Sequence, residues 1–158
     1  MIVFRNPILG LISIMPLGVS IIWIVGSIYF IGYSFNIMTV MVTSLNIGIG
    51  IAFGIHVILR FRLTADRTGD VRKAVSKTVT HTGGALFIAA LTTAAGFGML
   101  ILAPLPPEQQ FGIITALTII YSYITSIFVL PPILMIWGIW RKKRKGFIIS
   151  PRRIESDS

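Results

Sequence analysis

The run NPILGLISIMPLGVSIIWIVGSIYFIGYSFNIMTVMVTSLNIGIGIAFGIHVIL, residues 6–59, contains no Lys, Arg, Asp or Glu. One crossing of the hydrocarbon core of a bilayer takes about 20 apolar residues, so this run is long enough for two. It divides at Gly32-Tyr33-Ser34-Phe35-Asn36, where turn formers and an interfacial Tyr interrupt the aliphatic residues. The reading is a first span over about residues 8–31 and a second over about 37–59. A third charge-free run after Lys77 predicts a span over about 84–103, stopped by Pro104-Leu105-Pro106-Pro107-Glu108, because proline lacks the amide donor that would continue the helix. The last span runs over about 111–137. The fold class that follows is an all-α integral membrane protein of four transmembrane helices.

Composition agrees. Of 158 residues, 54% are hydrophobic and 12% charged, against roughly 25% charged in an average soluble domain. A water-soluble fold of this size could not hide that much apolar surface. The net charge of +9 does not call for nucleic acid, because the basic residues cluster where a membrane topology needs them. Arg60, Arg62, Arg67, Arg72, Lys73 and Lys77 lie between the second and third spans, against Asp66 and Asp70. Arg141-Lys142-Lys143-Arg144-Lys145 follows the last span, and the other two connections have no basic residue. With four spans these basic segments fall on one side, together with Arg5. The positive-inside rule makes that side cytoplasmic, which predicts a multi-pass protein of the cell membrane with both termini in the cytoplasm. There is no cysteine, so disulfides and thiolate metal sites are excluded.

Arg5 ahead of an apolar stretch could also open a secretory signal. The stretch is too long for one, and no convincing small-residue cleavage site follows it. Asn6-Pro7 suits a helix start instead, with Asn as cap and Pro in the first turn. In the basic connector, residues 60–83, Asp70 can cap a short amphipathic helix with Val71, Ala74, Val75 and Val79 on its apolar face. Such a helix is expected to lie along the cytoplasmic membrane surface. The tail, residues 141–158, should meet anionic headgroups through Arg141–Lys145 and end in a short polar stretch, disordered from Ser150 on.

Inside the membrane, helices associate by close packing of small residues and by hydrogen bonds. Gly48, Gly50 and Gly54 supply such positions in the second span, and Ala90, Ala94 and Gly98 form a four-residue ridge in the third. The first span carries Pro16 and is expected to kink there. Thr92 and Thr93 in the third span and a series of hydroxyls from Thr115 to Ser126 in the fourth are polar but can bond to backbone carbonyls one turn back. Asn46 wants an interhelical partner or a place along a pathway. Among His, Lys, Arg, Asp and Glu, His56 is the one residue within a predicted span. It suits a neutral, hydrogen-bonded interfacial role better than a proton relay. Asn46, His56, Thr92 and Thr93 are the candidates for a transport pathway. No constellation for catalysis and no cofactor or metal site is apparent, since His56 and His81 lack carboxylate partners at ligand spacing; an enzyme is not expected.

The segment NIGIGIAFGIHVILRFR, residues 46–62, resembles the Gly-rich span of the RND superfamily, in particular the MMPL and sterol-sensing-type permeases. TGGALFIAALTTAAGFG, residues 82–98, is similar to the span that follows in that family. Phe111-Gly112, opening a helix that ends in Leu130-Pro131-Pro132, is similar to its last span. The resemblance covers about residues 6–140. It implies a transmembrane region equivalent to the last four spans of one six-span permease half. It also implies export of hydrophobic or amphiphilic solutes, often proton-driven, and a complementary permease half or a second copy as partner besides membrane lipids. The chain would then be a fragment of a longer permease, a split gene product, or a small relative that needs partners. Many members carry an Asp-Tyr pair in the Gly-rich span as proton relay. The matching residues here are Ala52 and Phe53, neither of which can carry a proton. That loss motivates a second reading, a lipid- or sterol-sensing membrane module without transport, and a third, an inert truncated product.

Overall fold

The structure, a computed structural model, describes residues 7–33 and 37–145, and the side chains of these except at 7, 38, 39, 43, 46, 144 and 145. Arg5, the Asn6 cap, residues 34–36 of the expected first turn and the 146–158 tail lie outside the described residues. The chain forms α1 (Pro7–Ile31), α2 (Ile37–Thr68), α3 (Val71–Gly98), a short 3-10 segment η1 (Met99–Leu102), α4 (Pro106–Phe128) and α5 (Leu130–Lys145). Four stretches are long and apolar enough to cross a membrane: α1, α2, α3 with η1, and α4 with α5. This is an all-α membrane protein. Water cannot satisfy backbone groups in lipid, so each crossing must close its own hydrogen bonds, as a helix does.

The two middle helices depart from expectation in their extent. α2 does not end at Leu59 but continues to Thr68, and the helix expected after Asp70 is not a separate short element on the membrane surface. It is the first part of α3, which runs on unbroken into the third span. The reason is local. No proline or glycine falls between Arg60 and Thr68, and the good helix formers there carry α2 onward. The turn is two residues long. Gly69, at φ +63°, takes the left-handed conformation that closes a helix, its N–H donating to the Ala65 carbonyl at 3.0 Å. Asp70 then caps α3, its carboxylate accepting from the Arg72 amide at 2.9 Å. At 32 residues, α2 is about 48 Å long, well beyond the ~30 Å of the hydrocarbon core. The α2–α3 hairpin therefore extends out of the membrane at its basic end. The apolar face read at Val71 and Ala74 is real, but it is buried against protein rather than lipid.

Pro16 sits inside α1 without ending it. η1 tightens the last turn of α3. Extended backbone at Ala103 and Leu105 reverses the chain, Gln109 Nε2 donates to the Ala103 carbonyl at 2.8 Å, and Pro106-Pro107 start α4. The last span is two helices, not one. Pro131 and Pro132 bring no amide to the carbonyls of Ile127 and Phe128, and the helix is interrupted at Val129.

α4 is the central helix, in contact with α1, α2, α3, η1 and α5. At Gly112 it lies close against its neighbours: an added Cβ would be 2.6 Å from the Phe97 carbonyl oxygen and 2.6 Å from Leu100 Cβ. α5 returns over the α2–α3 hairpin through Gly138, whose Cβ would meet Val71 Cγ1 at 2.9 Å. There Lys142 Nζ donates to the Gly69 carbonyl at 2.7 Å, satisfying the end of α2, and the Arg141 guanidinium lies 5.1 Å from the centre of the Trp137 ring. So the basic cluster after the last span begins as a helix that locks the hairpin. The outer surface is apolar, with Leu11, Ile22, Phe30, Phe128 and Ile136 among the exposed side chains, as a lipid-facing belt requires.

These contacts rank the glycines. Gly112→Ala, meeting backbone and a neighbouring Cβ, should destabilise by about 1–3 kcal/mol, and Gly138→Ala by less, because the Val71 side chain can turn away. Gly26, with nothing within 4 Å of its added Cβ, should accept Ala at no cost or with a gain below ~1 kcal/mol. Melting of the three variants in detergent checks the order.

Candidate functional site: a buried hydroxyl seam on the central helix

Thr115, Thr118, Ser122, Thr125 and Ser126 recur at steps of three and four along α4, which puts them on one face. All five are buried, none more than 1% exposed. At Thr125 and the neighbouring Tyr121, α1 answers with hydroxyls of its own. Ser20, fully buried, lies with its Oγ 2.7 Å from Thr125 Oγ1, and Ser27 Oγ lies 2.9 Å from the Tyr121 hydroxyl. The Trp23 ring meets Tyr121 edge to face at 5.6 Å. Below the seam, Ser13 Oγ donates to the Gly10 carbonyl at 2.6 Å.

The Ser20 and Thr125 hydroxyls each have one proton to give and more acceptors than they can serve. Ser20 Oγ is 2.8 Å from the Pro16 carbonyl as well as close to Thr125, and Thr125 Oγ1 is 2.9 Å from the Tyr121 carbonyl and 3.2 Å from that of Ser122. Whichever way the Ser20–Thr125 bond points, one carbonyl is left with less. Two members have no partner at all among the described residues: Thr115 Oγ1 and Ser126 Oγ. A buried unpaired hydroxyl costs free energy, so the seam has spare capacity for hydrogen bonds. Thr118, by contrast, is closed on the Ile114 carbonyl at 2.7 Å. The seam holds no ionisable group besides the Tyr121 phenol. It can solvate a polar group or relay hydrogen bonds, but it supplies neither a fixed charge nor a general base.

The residues singled out from the sequence lie elsewhere and do not meet. Thr92 and Thr93 are exposed on the outer side of α3, each closed on its own backbone, at 2.8 Å to the Ile88 and Ala89 carbonyls. His56 is exposed on α2, above a groove of about 340 Å3 shared with Leu59, Arg60, Leu63, Thr82, Ala85 and Leu86. Asn46 is in α2, and its side chain lies outside the described residues. Ala52 is exposed, whereas Phe53 is buried in the main apolar cluster. Among the small residues, Gly50, Ala90 and Ala94 are buried; Gly54 is held so close to α1 that its Cβ would lie 3.2 Å from the Ser13 carbonyl. Gly48 and Gly98 border open space. The seam was visible in the sequence as a series of hydroxyls; the steps of three and four were the signal that they share a face.

The pairing across α1 and α4 has a measurable strength. A double-mutant cycle with Ser20→Ala and Thr125→Val should give a coupling of about 0.6 kcal/mol and no more than ~1.7, the range of interhelical hydrogen bonds in membranes. Ser126→Ala removes an unpaired group and should be neutral or stabilising, read from unfolding in detergent.

The sequence model of the MMPL family matches residues 1–156. Protein MJ1562 of Methanocaldococcus jannaschii is 30% identical over 135 residues, 85% of this chain and 35% of that protein. The hopanoid transporter HpnN of Rhodopseudomonas palustris is 31% identical over 101 residues, 64% of this chain and 12% of the transporter. The apo-petrobactin exporter of Bacillus anthracis is 25% identical over 146 residues, 87% of this chain and 19% of the exporter. The chain thus spans about a third or less of the length of these relatives. No solved structure matches it. The family match runs through all four membrane-crossing stretches and the turns between them, and the chain belongs to the MMPL family of the RND superfamily.

Proposed function

We propose that this chain is a transport component, one part of an MMPL permease that exports hydrophobic or amphiphilic solutes, and that it works against a complementary permease half or a second copy. A role in membrane transport follows from the family and from relatives named as a transporter and an exporter. The observation that carries the partner is the outer face of α3. Of the residues in its apolar stretch 17% are buried, against 44%, 38% and 44% in the other three. That face presents Ala89, Thr92, Thr93 and Gly96 beside Phe87 and Ile88, small and polar groups that suit a close helix neighbour better than lipid tails. Thr92 and Thr93 would line a pathway only once such a neighbour is present. The named cargoes of the relatives, a hopanoid and petrobactin, are the reason for the solute class.

Proton coupling would depend on groups outside this segment. Ala52 and Phe53 stand where the family's relay pair is expected, and the hydroxyl seam holds no carboxylate. Among the described residues no three of His, Cys, Asp or Glu come together as a metal site would require. The basic ends of the bundle are assigned to the cytoplasm of the cell membrane on the charge asymmetry.

Two measurements test this reading. Efflux of a fluorescent hydrophobic probe from proteoliposomes should require the assembled complex, with no transport by this chain alone; absence of efflux from the complex under any gradient would sink it. Because the chain has no native cysteine, topology can be mapped with single substitutions. Leu105→Cys should react with a membrane-impermeant maleimide in intact cells and Ser76→Cys only after permeabilisation. The reverse pattern would invert the assignment.

A further inference from the structure

The mouth of the α2–α3 hairpin has a feature that the transport reading does not use. Arg60 and Arg67 from α2 face Lys77 and His81 from α3 across a pocket of about 200 Å3, with the Thr64 and Thr68 side chains between them. No acidic residue lines it. Among the described residues none of Arg60, Arg67 and Lys77 makes an ion pair, so positive charge from two helices is gathered around a concavity that no acidic residue among the described ones lines. Repulsion of that kind is tolerated when an anion completes the site.

The pocket is not isolated. Arg60 and Leu63 line both it and the groove that holds His56, so the two adjoin. The groove is mainly apolar, walled by Leu59, Leu63, Ala85 and Leu86. Direction matters here. From Arg60 toward His56 on α2, and from His81 toward Leu86 on α3, the chain runs from the projecting tip of the hairpin toward the middle of the membrane. A cationic pocket near the projecting end thus sits beside an apolar groove on the outside of the bundle. A free phosphate ion would use the first part only. A molecule with a phosphate head and a hydrocarbon chain would fill both.

We infer that the α2–α3 hairpin carries a binding site for an anionic glycerophospholipid. Its phosphate sits among Arg60, Arg67, Lys77 and His81, and one acyl chain lies in the groove past Leu63 and Ala85. Arginine suits the phosphate, because its planar fork can make two parallel hydrogen bonds. Basic pockets between helices at the membrane surface take such headgroups. The site stands independently of transport, since it needs only the hairpin and its charges.

Native mass spectrometry of the full chain, delipidated in detergent, tests it with three ligands: dioleoyl phosphatidylglycerol, dioleoyl phosphatidylcholine and inorganic phosphate. Phosphatidylglycerol should bind at least about tenfold more tightly than phosphatidylcholine. Arg67→Gln with Lys77→Gln should lower phosphatidylglycerol affinity about tenfold or more and leave phosphatidylcholine unchanged. Arg72→Gln with Lys73→Gln removes the same charge from exposed positions outside the pocket and should change affinity less than about threefold. Ala85→Trp fills the groove without altering charge and should also weaken phosphatidylglycerol, so the proposal stays testable even if the charge variant fails to fold. An equal loss with the Arg72 and Lys73 pair would mean diffuse attraction and overturn it. Displacement of phosphatidylglycerol by millimolar inorganic phosphate, with Ala85→Trp without effect, would make the site one for a free anion and overturn the lipid assignment.

Discussion

Apolar side chains gain almost nothing by leaving hydrocarbon for the interior of a protein that is itself apolar. Everything that holds this bundle together has to come from another source, and the centre of it is α4. It touches every other helix, and it does so with two kinds of group. At Gly112 there is no side chain, so the end of α3 and η1 can lie against its backbone. Along its buried face it carries hydroxyls, two of which are bonded across to α1. Close approach and interhelical hydrogen bonds are the two forces available in lipid, and α4 uses both.

The same helix leaves part of its polar face unused. A face that fastens helices together needs every hydroxyl paired. This one leaves Thr115 and Ser126 unpaired while Thr118 closes on its own backbone, so its hydrogen bonding is under-used in the middle of the membrane. At the basic end the logic is reversed. There the helices leave the bilayer, lysine and arginine are free to appear, and their work divides. Lys142 ends α2 by bonding to Gly69 and Arg141 lies on Trp137, so part of the positive cluster is structural. Arg60, Arg67, Lys77 and His81 instead border an open pocket. Charge that looks uniform along the chain has separate tasks in space.

The candidates picked from the sequence and the residues that converge in the fold overlap little, and the reason is specific. Thr92 and Thr93 attracted notice as polar groups in an apolar helix, yet each is satisfied locally and points outward. The α4 hydroxyls look just as ordinary one by one. Only their shared face, and the serines of α1 opposite, distinguish them. A hydroxyl's role in lipid depends on whether its nearest acceptor is its own helix or another, and that is a property of the neighbour.

Sequence alone determined that the chain has four stretches able to cross the membrane, that Asp70 caps a helix, that the chain turns at Pro104–Pro107, and which family its motifs resemble. These follow from runs of uncharged residues and from residues with restricted or permissive backbones, both of which are local. Tertiary structure decided what α2 and α3 do beyond the membrane, where the charged connector became a continuous helical hairpin, because its apolar face found α5 and the rest of the bundle rather than the lipid surface. It also decided that α4 lies at the centre, and that basic residues seventeen positions apart, such as Arg60 and Lys77, border one pocket. Those outcomes depend on which helix packs against which, and in a medium where every face is apolar, pattern along the chain does not encode the neighbour.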